Sequence, residues 1–186
     1  DRRQDLTSIP QSNEKFGLRL FLAVATSLFF LLIVSYNIRM GLADWRALPS
    51  LKLLWLNTAM LILSDAGFQW AKVAAGRNQL KGVKIGLLGG GAFAWGFLIG
   101  QALVWNQLRS LGLYLEANPA NSFFYLITAV HGLHLLGGLT VWGKTSVKLL
   151  RNDHVKQLQL SIELLTIYWH FLLAVWLIMF VMMLLT

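Results

Sequence analysis

The stretch Leu160–Leu185, LSIELLTIYWHFLLAVWLIMFVMMLL, decides the fold of this chain. Its apolar residues form one long block rather than the stripe of a surface helix, and the block matches the thickness of a bilayer, roughly 20 residues. Four similar blocks precede it, at Gly17–Ile38, Leu51–Ala71, Val83–Trp105 and Ser122–Gly143. The pattern predicts an all-α integral membrane bundle of five transmembrane helices, with a polar N-terminal segment at residues 1–16 and a single domain at residues 17–186.

The composition supports a membrane protein and excludes several other classes. Of the 186 residues, 56% are hydrophobic and 13% are charged, against roughly a quarter charged in a soluble domain. The net charge of +8 lies almost entirely between the apolar blocks, which is typical of membrane topology and not of nucleic-acid binding. The absence of cysteine excludes a disulfide framework, a cysteine zinc site, an iron–sulfur cluster and covalent c-type haem. Any metal or haem site is limited by the four histidines, which are His131, His134, His154 and His170.

The distribution of lysine and arginine predicts the orientation of the bundle. One side holds the N-terminal segment and the segments after the second and fourth helices, with Arg2, Arg3, Lys15, Arg19, Lys72, Arg77, Lys81, Lys84, Lys144, Lys148, Arg151 and Lys156. The other side holds only Arg39, Arg46, Lys52 and Arg109. Because positive residues accumulate on the cytoplasmic side, we expect the N-terminus in the cytoplasm and, after five crossings, the C-terminus outside.

Glycine recurs through the third helix, where the chain reads GLLGGGAFAWGFLIG at Gly86–Gly100. The segment Gly89–Ala94 matches the spacing of a dinucleotide-binding fingerprint, but that motif requires a preceding strand and a backbone that faces a phosphate. Here the glycines lie inside an apolar block. We interpret them as packing positions, because glycines spaced by four let helices approach closely in lipid; the pairs are Gly86/Gly90 and Gly96/Gly100.

Asp65 is the one carboxylate of the second helix and lies in its inner half. A charge at the bilayer centre costs roughly 2.5–3.5 kcal/mol on insertion scales, so this side chain must face protein, water or a cation, or carry a proton. One interpretation is a proton-related or lipid-headgroup site. The other is a carboxylate near the inner interface, close to Lys72, that reaches water.

Two polar pairs lie in the fourth and fifth helices. His131 and His134 are spaced by three and share a helix face, and so do Glu163 and His170, which are spaced by seven. His134 and His170 each lie about 15 Å from the inner ends of their helices at 1.5 Å per residue, so adjacent antiparallel helices would bring them together. This spacing fits axial ligation of a b-type haem, and it equally fits hydrogen bonds that hold helices, a lipid or a partner subunit.

At these two helices the sequence resembles a known family. FFYLITAVHGLHLLGGLTVW, Phe123–Trp142, and ELLTIYWHFLLAVWLIMF, Glu163–Phe180, are similar to segments of heme-copper oxidase subunit III, where a Glu also stands seven residues before the His. Weaker similarity follows in the same order along the chain at Lys15–Ala23 with Tyr36, at Leu53–Asp65, and at the glycine-rich helix with Gln101. The chain resembles a shorter bacterial form that lacks the first two of seven helices.

The resemblance implies a non-catalytic subunit of an oxidoreductase complex that couples electron transfer to O2 with proton pumping in aerobic respiration. Such a subunit carries no haem or copper of its own, because these cofactors lie in the partner subunits. The implied partners are the catalytic subunit I, subunit II, structural phospholipids and, in some complexes, a larger respiratory supercomplex, with no nucleic acid. The implied location is the bacterial inner (cytoplasmic) membrane, as a multi-pass protein.

The resemblance also implies roles for particular side chains. His131, His134, Glu163 and His170 are expected to form a buried polar cluster that joins the fourth and fifth helices. Lipid-related or proton-related positions are expected at Asp65, Gln101, Trp169, Trp176, Lys72 and Lys144. The two tryptophans lie deep enough to need partners for their indole N–H groups, and the lysines belong to a basic inner rim that can bind anionic headgroups.

Two departures from the family pattern concern carboxylates. Ala25 and Leu173 stand where members often have Glu and Asp, so roles tied to those carboxylates do not transfer to this chain. We hypothesise that Asp65, where the family usually has a small hydroxyl residue, partly compensates.

The sequence leaves the electron donor open, together with three alternative functions. These are a b-type haem protein with His134 and His170 as axial ligands, an accessory subunit of a nitric oxide reductase, and a small transporter. The transporter ranks last, because the sequence shows neither inverted repeats nor broken helices at the midplane.

Overall fold

Five α-helices make up the described part of the chain, which confirms the predicted all-α class. The computed structural model describes residues 2–41, 52–114, 119–151 and 155–185, with side chains except at residues 2–12 and 156–157. Helix α1 spans Arg2–Met40, α2 spans Lys52–Gly76, α3 spans Leu80–Ser110, α4 spans Pro119–Arg151 and α5 spans Val155–Leu184. Arg46, Leu51 and His154, which enter the sequence analysis, lie outside the described residues.

Every helix is longer than the apolar block that predicted it. Helix α1 already begins at Arg2 and α4 continues to Arg151, where the sequence predicted Gly17 and Gly143 as the ends. Hydropathy marks only the length that matches the hydrocarbon core, whereas a helix continues into the polar interface as long as its residues favour helix. The polar segment expected at residues 1–16 is therefore mostly the beginning of α1 and not a separate element.

Four of the five helices are long and apolar enough to cross a membrane. They are Asn13–Met40 within α1, all of α3, all of α4, and Leu158–Leu184 within α5. Helix α2 is not among them, and polar side chains recur along its length: Asn57, Thr58, Ser64, Asp65, Gln69 and Lys72. How α2 packs therefore determines whether it can share the membrane with the other four.

A tight turn joins α2 to α3 and sets them antiparallel. The N–H of Asn78 donates to the carbonyl of Ala75 at 3.0 Å, and the N–H of Gln79 donates to that of Ala74 at 2.9 Å. Asn78 has φ of 55°, the left-handed conformation that commonly ends a helix and that Asn tolerates better than most residues. Since the turn is only three residues long, α2 and α3 are neighbours along their length, and their contact is the most extensive in the bundle.

Glycines allow the backbones of α2 and α3 to approach closely. A Cβ on Gly86 would lie 2.6 Å from the Ala71 nitrogen and 2.7 Å from the Gly67 carbonyl oxygen, and a Cβ on Gly67 would lie 2.8 Å from the Gly90 nitrogen. The Ser64 hydroxyl crosses the same contact and donates to the Gly90 carbonyl at 2.7 Å. The interpretation of Gly86/Gly90 as a packing pair agrees with this geometry.

The remaining helices are arranged around this hairpin. Helix α5 packs against α2 and α4, α4 also packs against α3, and α1 packs against α4 and α5. The largest fully buried side chains are aromatic and include Trp169, Trp176, Phe68 and Phe97. In the described residues, α1 is the least buried of the four apolar spans, so it forms the edge of the bundle.

Replacing Gly86 by Ala should destabilise the protein by about 1–3 kcal/mol, because the added methyl group collides with the backbone of α2. Gly89→Ala is the matched control, since nothing lies within 4 Å of a Cβ there and Ala favours helix over Gly. The measurement is the unfolding free energy of each purified variant in detergent. Equal stability of Gly86→Ala and the unchanged protein would show that the α2–α3 contact is looser than described.

Candidate functional site

A carboxylate and an imidazole meet between α2 and α5. Oδ1 of Asp65 lies 2.6 Å from Nδ1 of His170, and Oε1 of Gln69 lies 3.3 Å from Nε2 of the same ring. An ionised carboxylate only accepts hydrogen bonds, so an ionised Asp65 accepts from Nδ1–H of His170. Both ring nitrogens thus face oxygen atoms of α2. The sequence analysis did not predict this pair.

The antiparallel register of α2 and α5 brings these side chains together. Along the same seam, Trp169 packs edge-on against Phe68 with ring centroids 4.6 Å apart. The indole N–H of Trp176 donates to the Thr58 hydroxyl at 3.0 Å. The first contact lies on one side of the Asp65–His170 pair along the seam, and the second lies on the other side. Together they hold α5 against α2 around the pair.

The pair is only partly covered by the protein. The Asp65 side chain is 14% exposed, whereas the His170 side chain is 46% exposed. Gln69 is exposed beside them. An ionisable pair thus lies on the outer surface of two helices, where it is open to a neighbouring molecule.

His131 lies in a different environment, inside an aromatic cage. Its ring is fully buried and is surrounded by Phe29 at 6.2 Å, Phe97 at 5.9 Å and Trp176 at 5.3 Å between ring centroids. Neither ring nitrogen has a hydrogen-bond partner among the described residues. The ring therefore acts in this cage as a packing element between α1, α3, α4 and α5.

His134 faces α1. Its Nδ1 lies 2.8 Å from the Val130 carbonyl of its own helix, and its ring contacts Phe29 and Phe21 with centroids 5.2 Å and 5.9 Å apart. The link from α5 to this residue is through the backbone, because the Tyr168 hydroxyl donates to the His134 carbonyl at 2.7 Å.

Glu163 pairs with a cation of α1. Nζ of Lys15 lies 3.3 Å from Oε1 of Glu163, and the two side chains are 42% and 35% exposed. An ion pair with this much exposure contributes little to stability in water. Its position ties α1 to α5 near the start of the apolar span of α1 at Asn13.

The structure therefore does not bring His131, His134, Glu163 and His170 into one cluster. His131 and His134 share a contact with Phe29 of α1. Glu163 instead pairs with Lys15, and His170 pairs with Asp65 of α2. The expectation rested on equal depth and a shared helix face, and neither quantity determines which neighbouring helix a face meets. The same geometry weakens axial haem ligation by His134 and His170, because the two rings face different helices.

The buried positions among the expected lipid or proton residues have structural contacts. Asn57 donates to Oε1 of Gln101 at 3.2 Å, whereas Nε2 of Gln101 and the indole N–H of Trp169 have no hydrogen-bond partner among the described residues. The expectation that deep tryptophans bond their N–H groups thus agrees with the structure for Trp176 and not for Trp169. The Trp169 ring packs against Phe68 instead, and in this position its indole N–H has no hydrogen-bond partner among the described residues.

The two lysines lie toward the C-terminal ends of their helices, Lys72 half-buried on α2 and Lys144 exposed on α4. One interpretation of the sequence placed Asp65 close to Lys72. In the structure, the side chain of Asp65 pairs with His170. The family carboxylate positions are filled by a buried Ala25 and by Leu173, which packs against the core.

The fold, with four helices long and apolar enough to cross a membrane, defines a multi-pass helical membrane protein. The family model for cytochrome c oxidase subunit III matches residues 7–185, and the chain belongs to that family. The resemblance drawn from the fourth and fifth helices is thereby confirmed.

Individual relatives agree with the family. The chain is 28% identical over 173 residues to "Cytochrome c oxidase subunit 3" of Synechocystis, covering 90% of this chain and 73% of that protein. It is 29% identical over 123 residues to "Probable cytochrome c oxidase subunit 3" of Mycobacterium bovis, covering 66% and 61%, and 27% identical over 128 residues to the Corynebacterium diphtheriae protein, covering 67% and 60%. The matches to the mycobacterial and corynebacterial relatives thus span about three fifths of their length.

We predict that Asp65 and His170 are energetically coupled. A double-mutant cycle of Asp65→Leu and His170→Leu should give a coupling free energy of roughly 0.6–1.7 kcal/mol, the range for hydrogen bonds between membrane helices. The measurement is the unfolding free energy of the two single variants, the double variant and the unchanged protein in detergent.

His134→Leu combined with His170→Leu is the control cycle. These two changes should be additive within about 0.5 kcal/mol, because the rings do not share a partner. Coupling in the His134 cycle and additivity in the Asp65 cycle would favour the cluster expected from sequence over the observed pair.

Proposed function

We propose that the chain acts as the non-catalytic third subunit of a heme-copper terminal oxidase in a bacterial inner membrane. The observation that carries this proposal is the match of the subunit III family over residues 7–185. In this role the chain binds the catalytic subunit I and subunit II, which supply the haem and copper. Its own four histidines and lack of cysteine are too few ligands for the metal centres of a terminal oxidase.

We further propose that all five helices cross the membrane, with the N-terminus in the cytoplasm and the C-terminus outside. Helix α3 is apolar enough to cross, and α2 runs antiparallel along it after a three-residue turn. A helix bound to a spanning neighbour in this way must cross as well. The excess of lysine and arginine on one side supports the orientation.

Stabilisation of the catalytic subunit is the proposed contribution of the bundle. Polar side chains join its helices at several depths, with Asn57 to Gln101, Trp176 to Thr58, and Asp65 to His170. Hydrogen bonds of this kind hold membrane helices in one arrangement. A rigid bundle provides a constant surface for a larger partner.

Binding of a structural phospholipid is supported by a cavity between α1, α4 and α5. It has a volume of about 370 Å³ and an apolar lining: Leu18, Phe21, Gly137, Val141, Leu164, Leu165 and Tyr168. Lys15, whose Nζ also pairs with Glu163 at 3.3 Å, lies about one helical turn before Leu18, at the proposed cytoplasmic end of the cavity. We propose that an acyl chain occupies the cavity while the phosphate lies near this cation.

The test is purification of the tagged chain from its native membrane in mild detergent. We expect a haem-containing, many-helix oxidase subunit to co-purify, with haem bands in the reduced-minus-oxidised spectrum of the complex. The separated chain should be colourless and should retain phospholipid.

Two other outcomes would change the assignment. A b-type haem spectrum in the separated chain would favour the haem protein, despite the different directions of His134 and His170. Co-purification with a nitric oxide reductase instead of an O2-reducing subunit would place the chain in that enzyme.

A further inference from the structure

The outward face of α2 carries an unusual combination of side chains at mid-membrane depth. We call the α2 outer face the exposed residues spaced alternately by three and four: Ala59, Ile62, Ala66, Gln69 and Val73. The Asp65–His170 pair borders this face. Gln69 belongs to the face and also contacts the His170 ring. Polar and small residues thus interrupt an otherwise apolar surface.

The depth of this polar patch decides what can cover it. Asp65 lies 11 residues before the end of α2 at Gly76 and 13 residues after its start at Lys52, or about 16–20 Å from either end at 1.5 Å per residue. Lipid headgroups remain at the interfaces of a hydrocarbon core about 30 Å thick. His170 lies 15 residues after the start of α5 at Val155 and 14 residues before its end at Leu184, or about 21–22 Å from either end. A headgroup therefore does not reach His170, and only acyl chains or another protein can cover it.

Acyl chains are an unfavourable cover for these groups. An amide or ionisable group that faces hydrocarbon without a partner costs kilocalories per mole. His170 is 46% exposed, and Gln69 carries two N–H donors in addition to the oxygen that meets His170. The patch is thus complementary to a side chain that accepts or exchanges hydrogen bonds at the same depth.

The neighbouring residues suit the approach of a helix. Ala59 and Ala66 are exposed and lie two turns apart on one face, and small residues let the backbones of two membrane helices come close. The alternating spacing of three and four is the spacing of a helix–helix seam. Of the five described helices, α2 is the one that is not apolar enough to be identified as a membrane span, so it gains most from a protein neighbour.

We propose that the α2 outer face, with His170, docks a membrane-spanning helix of a partner oxidase subunit that presents a hydrogen-bonding side chain at mid-membrane depth. This inference rests on the proposed function, since it requires that the chain has such a partner. It adds which face of the bundle meets the partner and what chemistry the partner presents.

Site-directed photo-cross-linking in the assembled complex tests the docking face. The chain has no cysteine, so Ala66→Cys introduces a single attachment point for a benzophenone maleimide on this face, and Ile62→Cys provides a second one a turn away. Leu133→Cys is the matched control, because Leu133 is 67% exposed on α4 and also lies well inside its helix.

The expected result is an adduct between position 66 or 62 and a haem-bearing oxidase subunit. Mass spectrometry should place the adduct in an apolar segment of that subunit that contains a polar residue. Position 133 should give lipid adducts only. Protein adducts from position 133 with lipid adducts alone from 62 and 66, or an adduct to a second copy of this chain, would overturn the proposed face. If no oxidase subunit accompanies the unchanged chain, the proposed function itself fails, which is a distinct outcome.

Discussion

Hydrocarbon offers no hydrogen-bond partners, and this constraint governs how α2 can lie in the bundle. Helix α2 carries two amides, two hydroxyl groups and a carboxylate along its length, and most of these groups find partners on adjacent helices. Asn57 bonds Gln101 of α3, Ser64 bonds the Gly90 carbonyl of α3, and Asp65 bonds His170 of α5. Helix α2 is thus held between α3 and α5 by the same groups that would exclude it from lipid on its own.

The close approach of backbones makes these polar contacts possible. Ser64 reaches a main-chain carbonyl of α3 because Gly67, Gly86 and Gly90 add no side chains of their own at this contact. On the opposite side, Trp169 and Trp176 fill the seam between α2 and α5 and leave the carboxylate and imidazole at its outer edge. The polar pair is consequently directed away from the core, which explains why it is available to a partner while the buried bonds are not.

The sequence predicted the parts of this arrangement that depend on local pattern. Apolar blocks predicted five helices, glycine spacing predicted the close packing of α3, and the motifs around His131 and His170 predicted the family. The partners of the polar residues were not predictable in the same way. Measured from the predicted helix ends, Asp65 lay about 9 Å deep and His170 about 15 Å deep at 1.5 Å per residue, so the two seemed to lie at different levels. Both helices extend five residues beyond the predicted ends, to Gly76 and to Val155, so this difference of about 6 Å remains. The two side chains meet because the ends of α2 and α5 are offset along the bundle and because the helices are rotated so that these faces meet. Spacing alone contains neither the offset nor the rotation.

The central claim is that α2 crosses the membrane as one of five helices, and the direct measurement is the side on which its two flanking segments lie. Gly41→Cys and Arg77→Cys each place one cysteine in a chain that has none, before and after α2 respectively. A membrane-impermeant maleimide added to intact spheroplasts should label position 41 at once, and position 77 only after the membrane is permeabilised. Labelling of both positions in intact spheroplasts, or protection of both, would show that α2 does not cross the membrane and would contradict the account.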